Sequence, residues 1–365
     1  TRYWRDWSSD VCSSDLTATL AKIDAGHDMG TSKGTVADYL TEWAVRFSQH
    51  PDRKESSKGT VRVHVHAYLI PHLGRLKMAD LKPARIERLM TDLLAGGSTG
   101  HGEVEGGKPL ATKTVRNIVG TLHTALRDAV RLGIIPMNPA DMVQKPTWRR
   151  PEPQVFDIEQ HRQFLFTLYA NNDPMFPIWL LMLSTGIRRG EMAGLRWSDV
   201  NLLDSSVTIR QARVVTDGAG VVVTTPKTKA GERRIDIDST TRDILAGFLT
   251  AQEGWADALN APRFALVATD PDGRPISPRT LTRRFQMACE RAGVPVLRLH
   301  DTRHTHATML IHAGENIVTV SNRLGHSQVA TTLNIYAHSL PSADRALADR
   351  FGQKMSELLA NTDPT

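Results

Sequence analysis

The chain has 365 residues, 40% of them apolar, a mean hydropathy of -0.30 and a net charge of +6. That length points to two domains or three. No run approaches about 18 consecutive apolar residues, so no spanning helix is expected. The only cysteines, Cys12 and Cys289, form no CxxC pair, which excludes a disulfide framework or a zinc ribbon and fits a reducing cytoplasm. Residues 34–150 hold 18 Lys and Arg against 11 Asp and Glu, whereas residues 151–365 hold 23 of each. The excess charge lies in the first half, so a polyanion, DNA or RNA, is the expected partner class, against the plainer reading of a solubilising surface.

Residues 1–16, TRYWRDWSSDVCSSDL, show neither helical nor strand periodicity and lack a signal-peptide core. DWSSDVCSSDL resembles one reading frame of a sequencing-library adapter, and residues 1–16 are expected to be such a scar. Residues 17–33 are read as a remnant linker. TVADYLTEWAVRF, from Thr35, places Val36, Tyr39, Leu40 and Trp43 at helical spacing. VRVHVHAYLIPHLG predicts a second helix broken near Pro71, and LKPARIERLMTDLLAGG a third stopped by Gly96 and Gly97. A glycine-rich loop follows, then a long fourth helix, LATKTVRNIVGTLHTALRDAVRLGII. Prolines at 136, 139, 146, 151 and 153 mark a linker. Lys58, Lys113 and Arg116 are candidate phosphate contacts in this basic half, with a solvated surface as the alternative.

In the second half, FDIEQHRQFLFTLY and MFPIWLLMLSTG read as helices. SVTIRQARVV, GVVVTTPKT and ERRIDID are short β-branched runs that predict one three-stranded sheet. Helical patterning resumes at Ser277, with breaks at Pro295 and Gly325.

Four separated segments here share one chemistry. Arg188 follows a glycine turn that opens a helix, where backbone N–H groups also favour an anion. Lys227 and its rival Lys229 flank Thr228 on a turn. His300 and Arg303 lie at i, i+3 on one helix. His326 follows Gly325 and precedes Tyr336 by ten residues. Phosphodiester transfer needs planar cations for the non-bridging oxygens, which two arginines supply. It needs a nucleophile; tyrosine, with a pKa of about 10, needs a base or a cationic field. A lysine can protonate the leaving oxygen, and histidines can move or donate protons. No acidic cluster has two-metal nuclease spacing, and no thiol or carboxylate accompanies His300, His304 and His306 as a zinc set would require. No metal and no other cofactor is expected.

The segments TGIRRGEMAGLRWSDV, PKTKAGERRIDI, LHDTRHTHAT and RLGHSQVATTLNIYAH resemble, in order, the boxes of the phage-integrase family of tyrosine recombinases. The resemblance spans about residues 34–345. It implies a mainly α fold with a small antiparallel β-sheet: a helical SAM-like core-binding domain (34–140), a linker (141–155), a catalytic domain of the DNA breaking-rejoining fold (156–340) and a tail (341–365). It implies that Arg188 and Arg303 bind the scissile phosphate, Lys227 protonates the 5′ oxygen, His300 assists proton transfer and His326 hydrogen-bonds the phosphate. Tyr336 forms a 3′-phosphotyrosyl intermediate, and Glu191 is a supporting acid. Thr302 stands where the family often has an apolar residue. The implied partners are double-stranded attachment-site DNA, three further copies in a homotetramer on paired sites, and a host bending factor or excisionase. No membrane partner is expected, and the expected location is the cytoplasm, at the nucleoid. The apolar stripe Leu347, Phe351, Met355, Leu358 and Leu359 either packs on its own domain or docks on a neighbouring copy. A type IB topoisomerase, which relaxes supercoils without synapsis, and a regulator with a decayed site are the rival readings.

Overall fold

The computed structural model describes residues 34–96, 108–149, 151–216, 220–225, 231–336, 348–349 and 351–356, without the side chains at 331 and 334–336. The chain divides near Pro151 into two compact units. Among the described residues, no helix is long and apolar enough to cross a membrane.

The first unit is helical: α1 (Val36–Gln49), α2 (Glu55–Val63), a π-helical stretch (His64–Leu69), α3 (Ile70–Leu73), α4 (Pro83–Gly96) and α5 (Thr112–Arg131). Thr35 and Asp38 form a capping box that starts α1. Leu40, Leu69, Ile86, Ile118 and Leu122 are fully buried in one apolar cluster. Each such side chain contributes about 1.5–3 kcal/mol relative to exposure. Polar groups entering this core find partners across it: Tyr39 Oη donates to the Ala125 carbonyl at 2.5 Å and Trp43 Nε1 to Asp128 at 2.8 Å.

The predicted break at Pro71 does not occur. The helix starts earlier, at Glu55, and runs through Pro71 to Leu73 by widening into a π stretch, where Ile70 N–H bonds to Val65 O. Proline lacks the N–H and crowds the carbonyl four residues back; a widened turn is one way to carry a helix past both problems.

The second unit contains α6 (Ile158–Ala170), α7 (Phe176–Thr185), α8 (Arg189–Gly194), β1 (Val200–Asn201), β2 (Ser206–Ile209), β3 (Ala212–Thr216), β4 (Gly220–Thr224) and β5 (Arg233–Asp236). It continues with α9 (Ser239–Ala258), α10 (Pro278–Ala292), α11 (Asp301–His312), α12 (Ile317–Leu324) and α13 (Val329–Tyr336). Helix α7, FPIWLLMLST, is apolar on most sides because it runs through the core; Ile178, Leu181 and Met182 are fully buried.

The strands correct the single-sheet expectation. SVTIRQARVV is two strands: β2 joins β1 and β5 in an antiparallel sheet, in the order β1-β2-β5, while β3 pairs with β4 in a separate ladder. The split falls at Arg210 and Gln211. Arg210 is drawn to Asp199 at 2.7 Å, and Gln211 donates to the Gly194 carbonyl at 2.8 Å, so both side chains bind outside the ladder. In the antiparallel sheet Val207 faces Ile235 and Ile209 faces Arg233, which puts an arginine at the start of β5 beside the core.

Candidate active site

The C-terminal end of α12 organises this site. A helix end leaves carbonyls without intrahelical partners and carries the negative end of the macrodipole. Here three consecutive carbonyls each accept from a different arginine. Arg323 O receives Arg233 Nε at 3.0 Å, Leu324 O receives Arg303 Nη2 at 2.6 Å, and Gly325 O receives Arg188 Nη2 at 2.9 Å. Gly325 closes the helix in the left-handed conformation, φ 68°, which glycine adopts at little cost. His326 follows at once.

Arg188 reaches this end from the start of α8. Its backbone N–H and its Nη1 donate to the two oxygens of Glu191, at 3.0 and 2.8 Å. Its side chain is 35% exposed, so the guanidinium stays open on one side. Arg303, from α11, is 2% exposed, and its Nη1 donates to Gly186 O at 2.9 Å. Gly186 ends α7 in the left-handed conformation, φ 63°. A Cβ there would meet Leu324 Cδ2 at 2.8 Å and His306 Cδ2 at 3.0 Å. Helices α7, α11 and α12 therefore meet so closely that only glycine fits.

His300 sits at the N-cap of α11, exposed, with its ring edge-on to His304 at 5.3 Å between centroids. Helix α11 is fixed from behind. Arg298 makes two 2.9 Å bonds to the buried Asp301, and Thr305 Oγ1 donates to Asp301 O and accepts from Phe156 N. Desolvation and then the Arg303 charge hold the His300 pKa below the ordinary histidine value. His326 is held down to about 4 by desolvation, Arg303 and Arg188, and its Nδ1 lies 2.8 Å from Thr332 Oγ1. Both rings are neutral at pH 7. Burial would raise the Glu191 carboxyl, but Arg233 and then Arg188 draw it down to about 2, so it stays ionised.

Of the residues singled out in the sequence, Arg188 bonds the end of α12, Arg303 bonds the ends of α7 and α12, Glu191 bonds Arg188, His300 caps α11, and His326 follows α12. Tyr336 ends α13, and its side chain lies outside the described residues, as do Lys227 and Lys229. In the first unit, Lys58 pairs with Glu55 at 2.7 Å. Lys113 lies 4.9 Å from the Trp148 ring centroid, and Arg116 donates to Pro146 O at 2.7 Å. Among the described residues, no group of three His, Cys, Asp or Glu could hold a metal ion.

Two groups escaped the sequence reading, Arg233 and Arg323; His306, weighed there only against zinc binding, is the neighbour of Arg323. Arg323 Nε donates to His306 Nε2 at 3.1 Å, and its Nη2 donates to Ser184 O and Asp236 O. His306, held down to about 3 by burial and the Arg323 charge, stays neutral and accepts this bond. The one signal available was the doubled arginine of ERRIDI at a strand that alternates buried and exposed residues.

Residues 166–342 match the Phage integrase family. The chain is 29% identical to the ICEBs1 integrase of Bacillus subtilis, over 66% of each chain. It is 26% identical to a tyrosine recombinase XerC-like protein of Caldanaerobacter subterraneus, over 84% of this chain and 80% of that one. The Tn1549 transposon integrase, solved in complex with a circular intermediate DNA, has the same fold. Its TM-score is 0.72 at 20% identity, over 87% of this chain and all of the other. Residues 166–342 thus match a phage integrase domain, and with these relatives the chain is a site-specific tyrosine recombinase of the integrase class.

Proposed function

We propose that this recombinase cuts and rejoins double-stranded DNA at attachment sites through a 3′-phosphotyrosyl intermediate on Tyr336, integrating or excising a phage or mobile element. The observation that carries this reading is the run of three carbonyls at residues 323–325. It holds Arg188 and Arg303 on one helix end beside His326, as a phosphate clamp requires. The relatives fit it: one is named the integrase of ICEBs1, and the Tn1549 integrase was solved with DNA.

Tyr336 Oη attacks phosphorus. The P–Oη bond forms, the P–O5′ bond breaks, and the 5′ oxygen takes a proton from Lys227. Neutral His300 accepts the phenolic proton. Arg188 and Arg303 hold the non-bridging oxygens as their charge grows, a role in which one preorganised donor is worth about 10²–10³ in rate. With Thr332 donating to Nδ1, the neutral His326 ring carries its proton on Nε2 and donates it to a phosphate oxygen. Attack by a 5′ hydroxyl from the second duplex reverses the step, so bond energy is kept and no nucleotide is consumed. Exchange between two duplexes takes four cuts, one per copy, hence a homotetramer on paired sites. Phe351 and Met355, 67% and 41% exposed, are available for packing between copies. Lys58, Lys113 and Arg116 contribute phosphate contacts, and an excisionase or bending factor sets direction.

The test uses a nicked duplex spanning the element's own junction. Wild type should form a covalent adduct and join two such sites, and Tyr336→Phe should do neither. Supercoil relaxation without joining would instead favour a topoisomerase, and absence of any wild-type adduct would favour a binding-only protein.

A further inference from the structure

Arg233 belongs to none of the four segments' assigned roles, yet it is the third arginine on the α12 carbonyls. It is also the second cation on Glu191. Its Nη1 and Nη2 donate to the two carboxylate oxygens at 3.2 and 2.9 Å, and the two side chains are 7% and 9% exposed. Each oxygen of Glu191 thus carries one bond from Arg188 and one from Arg233. A lone Arg188–Glu191 pair would be neutral and would offer little field to a phosphate. With Arg233 the cluster is two cations on one anion, and a positive charge remains beside the exposed edge of Arg188. The bidentate fork also fixes the carboxylate plane, and with it the Arg188 guanidinium.

We propose that Arg233 is a positioning residue for DNA cleavage. By occupying Glu191 and the Arg323 carbonyl, it sets the orientation of Arg188 and leaves its charge available to the scissile phosphate. This inference rests on the recombinase reading. Arg233 itself does not touch the DNA.

Removing Arg233 leaves Glu191 paired with Arg188 alone, so the loss should be undone when the carboxylate charge is removed as well. On the nicked junction duplex with the full chain, Arg233→Gln should slow single-turnover adduct formation by about 10²-fold, the scale of one preorganised donor, without a comparable loss of DNA affinity. Arg233→Lys, which keeps the charge but not the fork, should fall between; should Arg233→Gln not fold, it carries the same comparison. The double variant Glu191→Gln/Arg233→Gln should be at least about tenfold faster than Arg233→Gln, since the charge balance is restored. A role in folding alone predicts that the double is no faster than the single, and that result overturns the proposal. A second readout needs no activity: in protein labelled with ¹³C at the glutamate carboxyls, Glu191 should titrate higher in the Arg233 variant than in wild type. An unmoved Glu191 overturns the proposal even if wild type forms no adduct, a result that would count against the recombinase reading alone.

Discussion

The unit before Pro151 and the unit after it treat charge in opposite ways. Among its described residues the first buries no Lys, Arg, Asp or Glu, although it carries the chain's positive excess. The second has no net charge, yet it buries Glu191, Asp199, Arg233, Asp301 and Arg303. A surface cation is solvated, screened and replaceable, and suits a long polyanion contacted at many points. A buried cation needs partners fixed around it, and suits one phosphate held in one geometry. On the proposed reading, net charge marks the half that would hold DNA along its length, while the half that would cut it is electrically silent in composition.

This contrast can be broken at several points. Arg303→Ala should have the largest effect. Single-turnover cleavage should fall by about 10²–10³ or more, and the vacated Gly186 and Leu324 carbonyls should cost about 1–3 kcal/mol each in thermal unfolding. A variant that cleaves at the wild-type rate would remove Arg303 from the phosphate clamp. Next, Glu191→Ala should destabilise by about 3–5 kcal/mol, because it strands the buried Arg233; a loss near that of an exposed ion pair would show the network to be soft. In the first unit, Lys113→Ala or Arg116→Ala should leave cleavage at saturating DNA unchanged. Each should weaken binding evenly across sequences and lower the slope of log affinity against log salt by about one. A drop in the saturated rate would blur the division of labour.

Acid should also act on the second unit. His306 and His326 have folded pKa values of about 3 and about 4, below the ordinary 6.5. The unfolded chain therefore binds more protons than the folded one below pH 6.5. Stability supplied by these neutral rings is fully present above that pH and is lost as pH falls toward 4 and then 3. His306→Gln should flatten that slope in denaturation curves, and an unchanged slope would show that other groups set it. The smallest effect should come from Glu159→Gln, which removes an exposed pair with Arg162. No measurable change in the denaturation midpoint is expected, because solvent screens an exposed pair.

Much of this was legible in the sequence for physical reasons. The helices of the first unit follow from apolar spacing and caps, and Arg188, His300, Arg303 and His326 follow from four ordered segments. What was hidden depends on contacts distant in sequence. Arg233 meets Glu191 across 42 residues and the Arg323 carbonyl across 90, so no local pattern reveals either bond. The strand break at Arg210 depends on Asp199 and Gly194, which lie outside the strand pattern. Helix α9 went unread: Thr240, Thr241 and two glycines, Gly247 and Gly254, weaken its pattern, and its start is fixed by Asp238, which accepts from Thr241 N. At Pro71 the local rule for proline gave way to the packing of Leu69 and Leu73, both buried in the first core.

The most direct measurement is to trap the protein on the nicked junction duplex, digest it and map the DNA-bearing peptide by mass spectrometry. The nucleotide should be found on Tyr336, joined through its 3′ phosphate. A 5′ linkage, or attachment to any other residue, would contradict the assignment of Tyr336 as the nucleophile.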